Sequence, residues 1–312
     1  MSDNPPIPDI SIVVPVFNEA DNLPPLYDEL SATLDAYGRA YEVVFVDDGS
    51  SDGSYEILRG LNAKDARYRV VRFARNFGQN PALYAGFAYA RGQVVVTLDA
   101  DLQNPPSEIP ILVDALEQGH YHVVQGWRTG RKDHPLRKLA SRIVNRIMSR
   151  LTGIRVRDLG SGMKAYRRSV VDQLNLSRHR SRYVPAEVAW LGVPVGEVEV
   201  AHRSRHAGAS KYNLLSLLRV NFDMIASVST APVQLIGWLG AVFAMLGFAM
   251  TLFIGALRII YGNYSELATI AAVFFFLAGV QMLATALLCQ YVTRIYVEVQ
   301  QRPYYIVDET HE

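Results

Sequence analysis

Two carboxylates, Asp99 and Asp101, stand two residues apart directly after the apolar run Val94-Val95-Val96-Thr97-Leu98. Such a run reads as a buried strand, and side chains at i and i+2 at a strand end point the same way. No basic residue in the neighbouring sequence neutralises the pair, and like charges held this close are costly unless a cation lies between them. A hard divalent ion with oxygen ligands is the natural partner, and Mg²⁺ or Mn²⁺ commonly arrives with a substrate diphosphate. A solvated acidic loop is the other reading of a bare Asp-x-Asp, which is short enough to recur by chance.

The elements that must position this pair decide between the two readings. Ile10 to Pro15, Tyr41 to Val46, Arg69 to Phe73 and Val94 to Leu98 are apolar runs of strand length, and Asn22 to Tyr37, Tyr55 to Ala63 and Asn80 to Arg91 read as helices between them. Alternation of this kind predicts an α/β, doubly wound parallel sheet. Ligands bind such sheets beyond the carboxyl ends of the strands. Four polar motifs fall at such ends: Asn18-Glu19, Asp47-Asp48, Arg75-Asn76-Phe77-Gly78 and Asp99-Ala100-Asp101. Their convergence on one edge predicts an enzyme acting on a nucleotide-diphosphate compound. No G-x-G-x-x-G follows the first strand and no G-x-x-x-x-G-K-[ST] occurs, which argues against NAD binding and a P-loop ATPase.

The formal net charge of +1 conceals an asymmetry. Residues 1–127 hold 8 basic and 18 acidic side chains, residues 128–219 hold 20 and 6, and residues 220–312 hold 3 and 6. A basic middle third fits contact with anionic lipid headgroups, a phosphate-bearing substrate or nucleic acid. The single cysteine, Cys289, excludes an intrachain disulfide and a cysteine-based zinc site. It lies in an apolar run and reads as a small buried hydrophobe. Met1 to Asp9 is polar and proline-rich, without a signal-peptide pattern.

Residues 233–257 and 267–293 contain no charged residue and no histidine. A bilayer core needs about 20 apolar residues of helix, so both runs are predicted to span a membrane; two buried core helices are the alternative, although soluble helices seldom lack charge on every face. Lys211 and Arg219 precede the first run and Arg294 and Arg302 follow the second. That places both termini in the cytoplasm and the short link 258–266 outside. Pro135 to Leu151 reads as an amphipathic helix, with Lys138, Arg142, Arg146 and Arg150 beside Leu139, Ile143, Ile147 and Leu151. This suits an anionic membrane interface; an ordinary surface helix with a solvated basic stripe is the alternative, and nucleic-acid binding is a poorer fit beside two spans. His202 to Tyr212 packs Arg203, Arg205 and Lys211 with Ser210 just before the first span. Guanidinium forks and a lysine point charge suit a phosphate, and the alternative there is generic positive-inside charge.

Val14-Pro15-Val16-Phe17-Asn18-Glu19, Val46 to Asp52, Leu98 to Pro106 and Gly208-Ala209-Ser210-Lys211-Tyr212 resemble the family 2 glycosyltransferases of the polyprenyl-phosphate type. Dolichol-phosphate mannose synthase belongs there, as do the bacterial two-span undecaprenyl-phosphate glucosyltransferases and aminoarabinose (formamido-arabinose) transferases. Arg137 to Gly153, Met163 to Arg168 and Tyr291 to Val307 resemble the two-span subgroup as well, so the resemblance covers nearly the whole chain. It implies a GT-A domain over 1–212 containing the 135–151 helix, a juxtamembrane helix at 213–232, spans at 233–257 and 267–293, and a cytoplasmic tail at 294–312. It implies inverting transfer of a sugar from a nucleotide donor, UDP-linked by resemblance, to undecaprenyl phosphate at the bacterial inner membrane, serving envelope glycan or lipid A modification. By resemblance Pro15, Phe17, Glu19 and Asp48 hold the donor's base and ribose, and Asp99, Asp101 and Gln103 surround Mg²⁺ or Mn²⁺ and the diphosphate. Asp158 matches an acidic position assigned as catalytic base, and Arg128, Arg203, Arg205, Ser210 and Lys211 match an acceptor-phosphate site. Related two-span members imply a homotetramer. A processive polysaccharide synthase shares the fold, but it needs more spans and a Gln-x-x-Arg-Trp motif that this chain lacks. A non-catalytic lipid-binding adaptor would have no use for Asp99 and Asp101 beside Glu19 and Asp48.

Overall fold

A computed structural model describes residues 7–128, 161–177, 183–201, 203, 248–249, 252–256, 259–260, 262, 266–300 and 303–311. The basic helix 135–151, the juxtamembrane stretch 213–232, most of the 233–257 run, and Asp158, Arg205, Ser210 and Lys211 lie outside the described residues. The chain divides into two units, Met1–Asn221 with Pro303–Glu312, and Phe222–Arg302.

The first unit is built on an eight-stranded sheet. Its strands are β1 (Ile10–Val16), β2 (Tyr41–Asp47), β3 (Tyr68–Phe73), β4 (Val94–Thr97), β5 (Val123–Arg128), β6 (Lys164–Arg167), β7 (Val195–Val200) and β8 (Val307–His311). Their order across the sheet is β7-β5-β6-β4-β1-β2-β3-β8. β1 pairs in parallel with β2 and β4, β2 with β3, and β5 with β7, whereas β6 runs antiparallel between β4 and β5. The sheet is thus mostly parallel. The helices are α1 (Leu23–Tyr37), α2 (Ser54–Lys64), α3 (Gln79–Tyr89), α4 (Ile109–Gln118), α5 (Arg168–Leu176) and α6 (Val184–Leu191).

The near-continuous apolar sequence of β1 and β2 follows from burial on both faces. Ile10, Ile12, Val14 and Val16 share a core with Leu23, Leu26, Leu30 and Leu34 of α1, at the helical spacing that makes one stripe. Val13, on the opposite face by the period of two, packs with Tyr84 and Phe87 of α3. Helix α3 lies so close that a side-chain carbon at Gly86 would overlap Val13. Helix α1 opens with Pro24 and Pro25 in its first turn and stops at Gly38, which takes φ 73° and donates its N–H to Leu34 O.

One ion cluster fastens the edge where the strands begin. Glu42, 2% exposed, receives Ser11 Oγ at 2.7 Å, the Arg91 backbone N–H at 2.6 Å, Arg91 Nε at 2.9 Å and Arg69 Nη1 at 3.1 Å. Ser11 Oγ also accepts the Gly92 N–H at 2.7 Å. β1, β2, β3 and the turn into β4 are tied at one point, opposite the edge that carries the motifs.

The C-terminal segment differs from the expected tail. β8 pairs antiparallel with β3 and completes the sheet. Tyr305 stacks on Phe73 at 5.0 Å, and Tyr55 hydrogen-bonds Glu309 and His311.

In the second unit, helix α7 (Glu266–Val299) runs for 34 residues. Among the described residues no helix is long and apolar enough to cross a membrane. Cys289 on this helix is exposed, not buried as its apolar surroundings in sequence suggest. An apolar run specifies burial only where another protein surface covers that face of the helix.

Candidate active site

The carboxyl ends of β1, β2, β3 and β4 carry four loops, and hydrogen bonds stitch them in series. Asn18, at φ 54°, donates its N–H to Ser50 Oγ at 2.9 Å and accepts the Ser51 N–H at 2.8 Å. Glu19 donates its N–H to Ser54 Oγ at 2.9 Å, and its carboxylate receives Asn22 Nδ2 at 2.6 Å. The β1 and β2 loops are therefore locked side by side, with Pro15 and Phe17 half-buried at their base.

Asp48 connects the second loop to the third. It is buried, and its two carboxylate oxygens accept the N–H groups of Phe77 at 2.6 Å and Gly78 at 2.8 Å. Burial raises its pKa, the two N–H bonds oppose that rise, and the neighbouring Asp47 adds to it. Asp47 is raised for the same first reason, burial, against the pull of Ser50 and Arg72. Asp48, for which the resemblance implies donor contact, also holds the loop that starts α3 through one N–H on each carboxylate oxygen. Phe73 meets Phe77 edge-on at 5.6 Å, so Tyr305 of the tail supports this loop through Phe73.

The fourth loop holds the carboxylate pair. Asp99, Asp101 and Gln103 are half-buried while Ala100 and Leu102 are buried, so the alternation anticipated from i, i+2 spacing is present. Leu102 takes φ 59°, in the left-handed region that non-glycine residues avoid. Asp101 Oδ1 accepts the Gln103 N–H at 3.1 Å and closes the turn around it. Strain of this kind persists where the surroundings enforce it, often at functional sites. Gln79 Nε2 donates to Asp99 Oδ1 at 2.8 Å, joining the third loop to the fourth.

Two later segments reach the same edge. Thr97 Oγ1 donates to Gly162 O at 2.9 Å, bringing the stretch before β6 against Asp99. Arg203 donates its backbone N–H to Gln103 O at 2.8 Å, while its guanidinium pairs with Glu29 of α1 at 2.9 Å. Arg203 is thus beside the carboxylate loop, and its charge is directed onto α1. Arg128 ends β5, paired in register with Val200.

The donor set fits a divalent cation of the magnesium type. Among the described residues no group of three or more His, Cys, Asp or Glu side chains could enclose a metal. Asp99 and Asp101 supply the carboxylate oxygens and Gln103 an amide oxygen, the hard donors that such an ion takes beside substrate phosphates and water. Sequence reasoning missed Gln79 and Gly162, which meet Asp99 from other loops, and Thr97, which holds Gly162 in place from the end of β4. It also missed Ser161 Oγ and Asn104 Oδ1, both buried with no hydrogen-bond partner beside these loops. Position was the available signal for Gln79, Thr97 and Asn104, which lie within or next to a polar motif at a strand's carboxyl end, and Ser161 and Gly162 carried none.

Comparison with known proteins agrees with this geometry. The profile described as "Glycosyl transferase family 2" matches residues 11–174. The undecaprenyl-phosphate 4-deoxy-4-formamido-L-arabinose transferase of Yersinia pestis (strain Pestoides F) is 40% identical over 313 residues, covering 99% of this chain and 95% of its own. The same values hold for the transferase of that name from Yersinia pseudotuberculosis serotype O:3 (strain YPIII). In fold, the chain is similar to glucosyl-3-phosphoglycerate synthase from Mycobacterium tuberculosis. Its complex with Mn²⁺, UDP and phosphoglyceric acid gives TM-score 0.50 at 21% identity, over 69% of this chain and 75% of that one. Its complex with Mn²⁺ and UDP-glucose gives TM-score 0.50 at 20% identity over the same shares.

Proposed function

This chain belongs to glycosyl transferase family 2, and from that premise we propose that it transfers a sugar from a UDP-linked donor to undecaprenyl phosphate. The product is a lipid-linked monosaccharide made at the cytoplasmic face of a bacterial inner membrane, for envelope glycan or lipid A modification. The observation that carries the reading is the Asp99–Asp101 pair, both half-buried at the carboxyl edge of the sheet among four hydrogen-bonded loops. The relatives named for undecaprenyl-phosphate transfer supply the acceptor, and the UDP and UDP-glucose complexes of one protein of similar fold support the donor.

Asp99, Asp101 and Gln103 hold Mg²⁺ or Mn²⁺ together with the donor diphosphate. Bound there, the cation supplies charge neutralisation at the leaving group. Pro15, Phe17 and Glu19 border the base and ribose, and Asp48 serves them by fixing the Phe77–Gly78 backbone. An oxygen of the acceptor phosphate attacks the anomeric carbon as the bond to the UDP oxygen breaks, which inverts the configuration. A phosphate monoester has a second pKa near ~6 and is mostly dianionic at neutral pH. It needs no strong general base, so Asp158 orients the acceptor or stabilises positive charge at the anomeric carbon. Arg128, Arg203, Arg205, Ser210 and Lys211 gather the acceptor phosphate. The half-exposed Arg203–Glu29 pair is of the kind worth little, so its guanidinium is readily given up to a phosphate.

The lipid acceptor calls for a membrane anchor. Residues 233–257 and 267–293 span the bilayer, with both termini cytoplasmic. The absence of any charged residue or histidine from 233–257 and 267–293 supports this. So do the large apolar side chains of α7, among them Phe274, Leu277, Leu288 and Ile295, which are exposed where a soluble core helix would bury them. The homotetramer belongs to the same proposal.

The test is acceptor kinetics with the purified full-length chain in detergent. Undecaprenyl phosphate should be glycosylated and undecaprenol should not. Lys211→Ala should raise the KM for undecaprenyl phosphate about tenfold or more, the worth of a hydrogen bond to a charged group, and leave the donor KM within about twofold. Equal use of undecaprenol, or a donor KM that moves with the acceptor KM, would contradict the assignment.

A further inference from the structure

Asp99 is gripped from two sides by residues that the donor and acceptor motifs leave without a role. On one side, the β4–β6 pairing sets Thr97 opposite Lys164, and the Thr97 hydroxyl holds Gly162 O at 2.9 Å. The Gly162 backbone is thereby pressed against the Asp99 carboxylate. A side-chain carbon there would overlap it, with even the farther oxygen, Oδ1, at 2.7 Å. On the other side, Gln79 Nε2 donates to Oδ1 at 2.8 Å. Gln79 is the first residue of α3, and its start is fixed because Asp48 takes the N–H of Gly78.

The chemistry of the clamp suits a carboxylate that must meet a cation. A neutral amide fixes one oxygen without placing a competing positive charge beside the carboxylate. A lysine or arginine at residue 79 would compete with the ion. A ligand held within about 0.5 Å of its working position binds with less reorganisation than one left to find it.

We propose that Gln79 and Gly162 are positioning residues that set the Asp99 carboxylate for the divalent cation of the nucleotide donor, Gly162 by leaving the space the carboxylate occupies and Gln79 by fixing Oδ1. This rests on the reading of Asp99 and Asp101 as the donor's cation site. Neither residue touches the reacting atoms, so the readout is the metal dependence of donor binding rather than turnover alone.

The experiment titrates Mn²⁺ into the detergent-solubilised full-length chain and follows UDP binding, with thermal melting of each protein alongside. Gln79 is exposed, so Gln79→Ala should melt with the parent chain. Its Mn²⁺ midpoint should rise about tenfold, the low end for a hydrogen bond to a charged group. Gly162→Ala should raise the midpoint further, with UDP binding in EDTA unchanged in both. If Gly162→Ala fails to fold, Gln79→Ala decides alone. A Mn²⁺-dependent parent with Gln79→Ala at the parental midpoint overturns the clamp and leaves the cation site standing. A parent chain that binds UDP equally with and without Mn²⁺ overturns both.

Discussion

Asp101→Asn is expected to lower sugar transfer at least about 10³-fold while the protein keeps its fold and its membrane insertion. The loss corresponds to about 4 kcal/mol of transition-state stabilisation, within the several kcal/mol that a metal ion supplies at a leaving phosphate. The structure explains why the fold should survive. Asp101 is half-buried, and the bond that shapes its turn is accepted by Oδ1 from the Gln103 N–H. Asparagine keeps that acceptor, so Leu102 can stay at its positive φ and Gln103 in place. The substitution removes the carboxylate's charge and keeps the bond that shapes the turn. The check pairs initial rates at saturating donor and acceptor with thermal melting. Transfer within tenfold of the parent chain, with melting unchanged, would remove Asp101 from the cation site.

The second large effect is on stability, at the opposite edge of the sheet. Glu42→Ala should lower the melting point of the first unit by about 10 °C. Removing one member of a buried ion cluster costs about 3–5 kcal/mol, because the partner is left charged and uncompensated. A kcal/mol moves the midpoint of a domain this size by about 2–4 °C. Here the abandoned partner is Arg69, whose side chain is 6% exposed. The more exposed Arg91 can turn to water.

The same cluster predicts an acid limb. Burial alone would raise the Glu42 pKa, but the bonds from Ser11 and Arg91 outweigh it and hold the group below its ordinary 4.5. A carboxylate with a depressed folded pKa contributes fully above its unfolded value and loses that contribution as pH falls through the folded one. The stability from Glu42 is therefore present above about pH 4.5 and lost below it. Asp47 and Asp48 carry the opposite sign. Burial raises both, so the folded chain binds their protons more tightly, and acid relieves a cost they impose. Melting points of the parent chain and Glu42→Ala, followed downward from pH 6, should converge below pH 4.5. Parallel curves would assign the cluster no role in acid stability.

The parts of this molecule legible in sequence are those fixed by local pattern. β1 and β2 are near-continuous apolar runs, broken only by Ser11 and Glu42 where the strands begin, and each ends at a polar motif. The Leu23, Leu26, Leu30, Leu34 stripe declares α1. The illegible parts depend on partners distant in the chain. β6 is the four-residue Lys-Ala-Tyr-Arg, and nothing local marks it as a strand. It becomes one by inserting antiparallel between β4 and β5. β8, Val-Asp-Glu-Thr-His, is the polar edge strand that reads as a tail until β3 is seen beside it. Within the site, the carboxylates were legible because their spacing is local. Gln79 and Gly162 were not, because each acquires its role from a side chain 20 or 63 positions away. Asp48 shows a further limit: its place at the strand end was readable, but the direction of its carboxylate depends on the Phe77–Gly78 loop.

The most direct test of the central claim is transfer of radiolabelled sugar from a panel of UDP- and GDP-sugars to undecaprenyl phosphate by the full-length chain. UDP-4-deoxy-4-formamido-L-arabinose belongs in the panel, and each donor is run with Mn²⁺, with Mg²⁺ and with EDTA. The account predicts a lipid-linked product from a UDP-sugar that EDTA abolishes and added Mn²⁺ restores. Product formation at full rate in EDTA, or a chain that binds no nucleotide under any of these conditions, would contradict it.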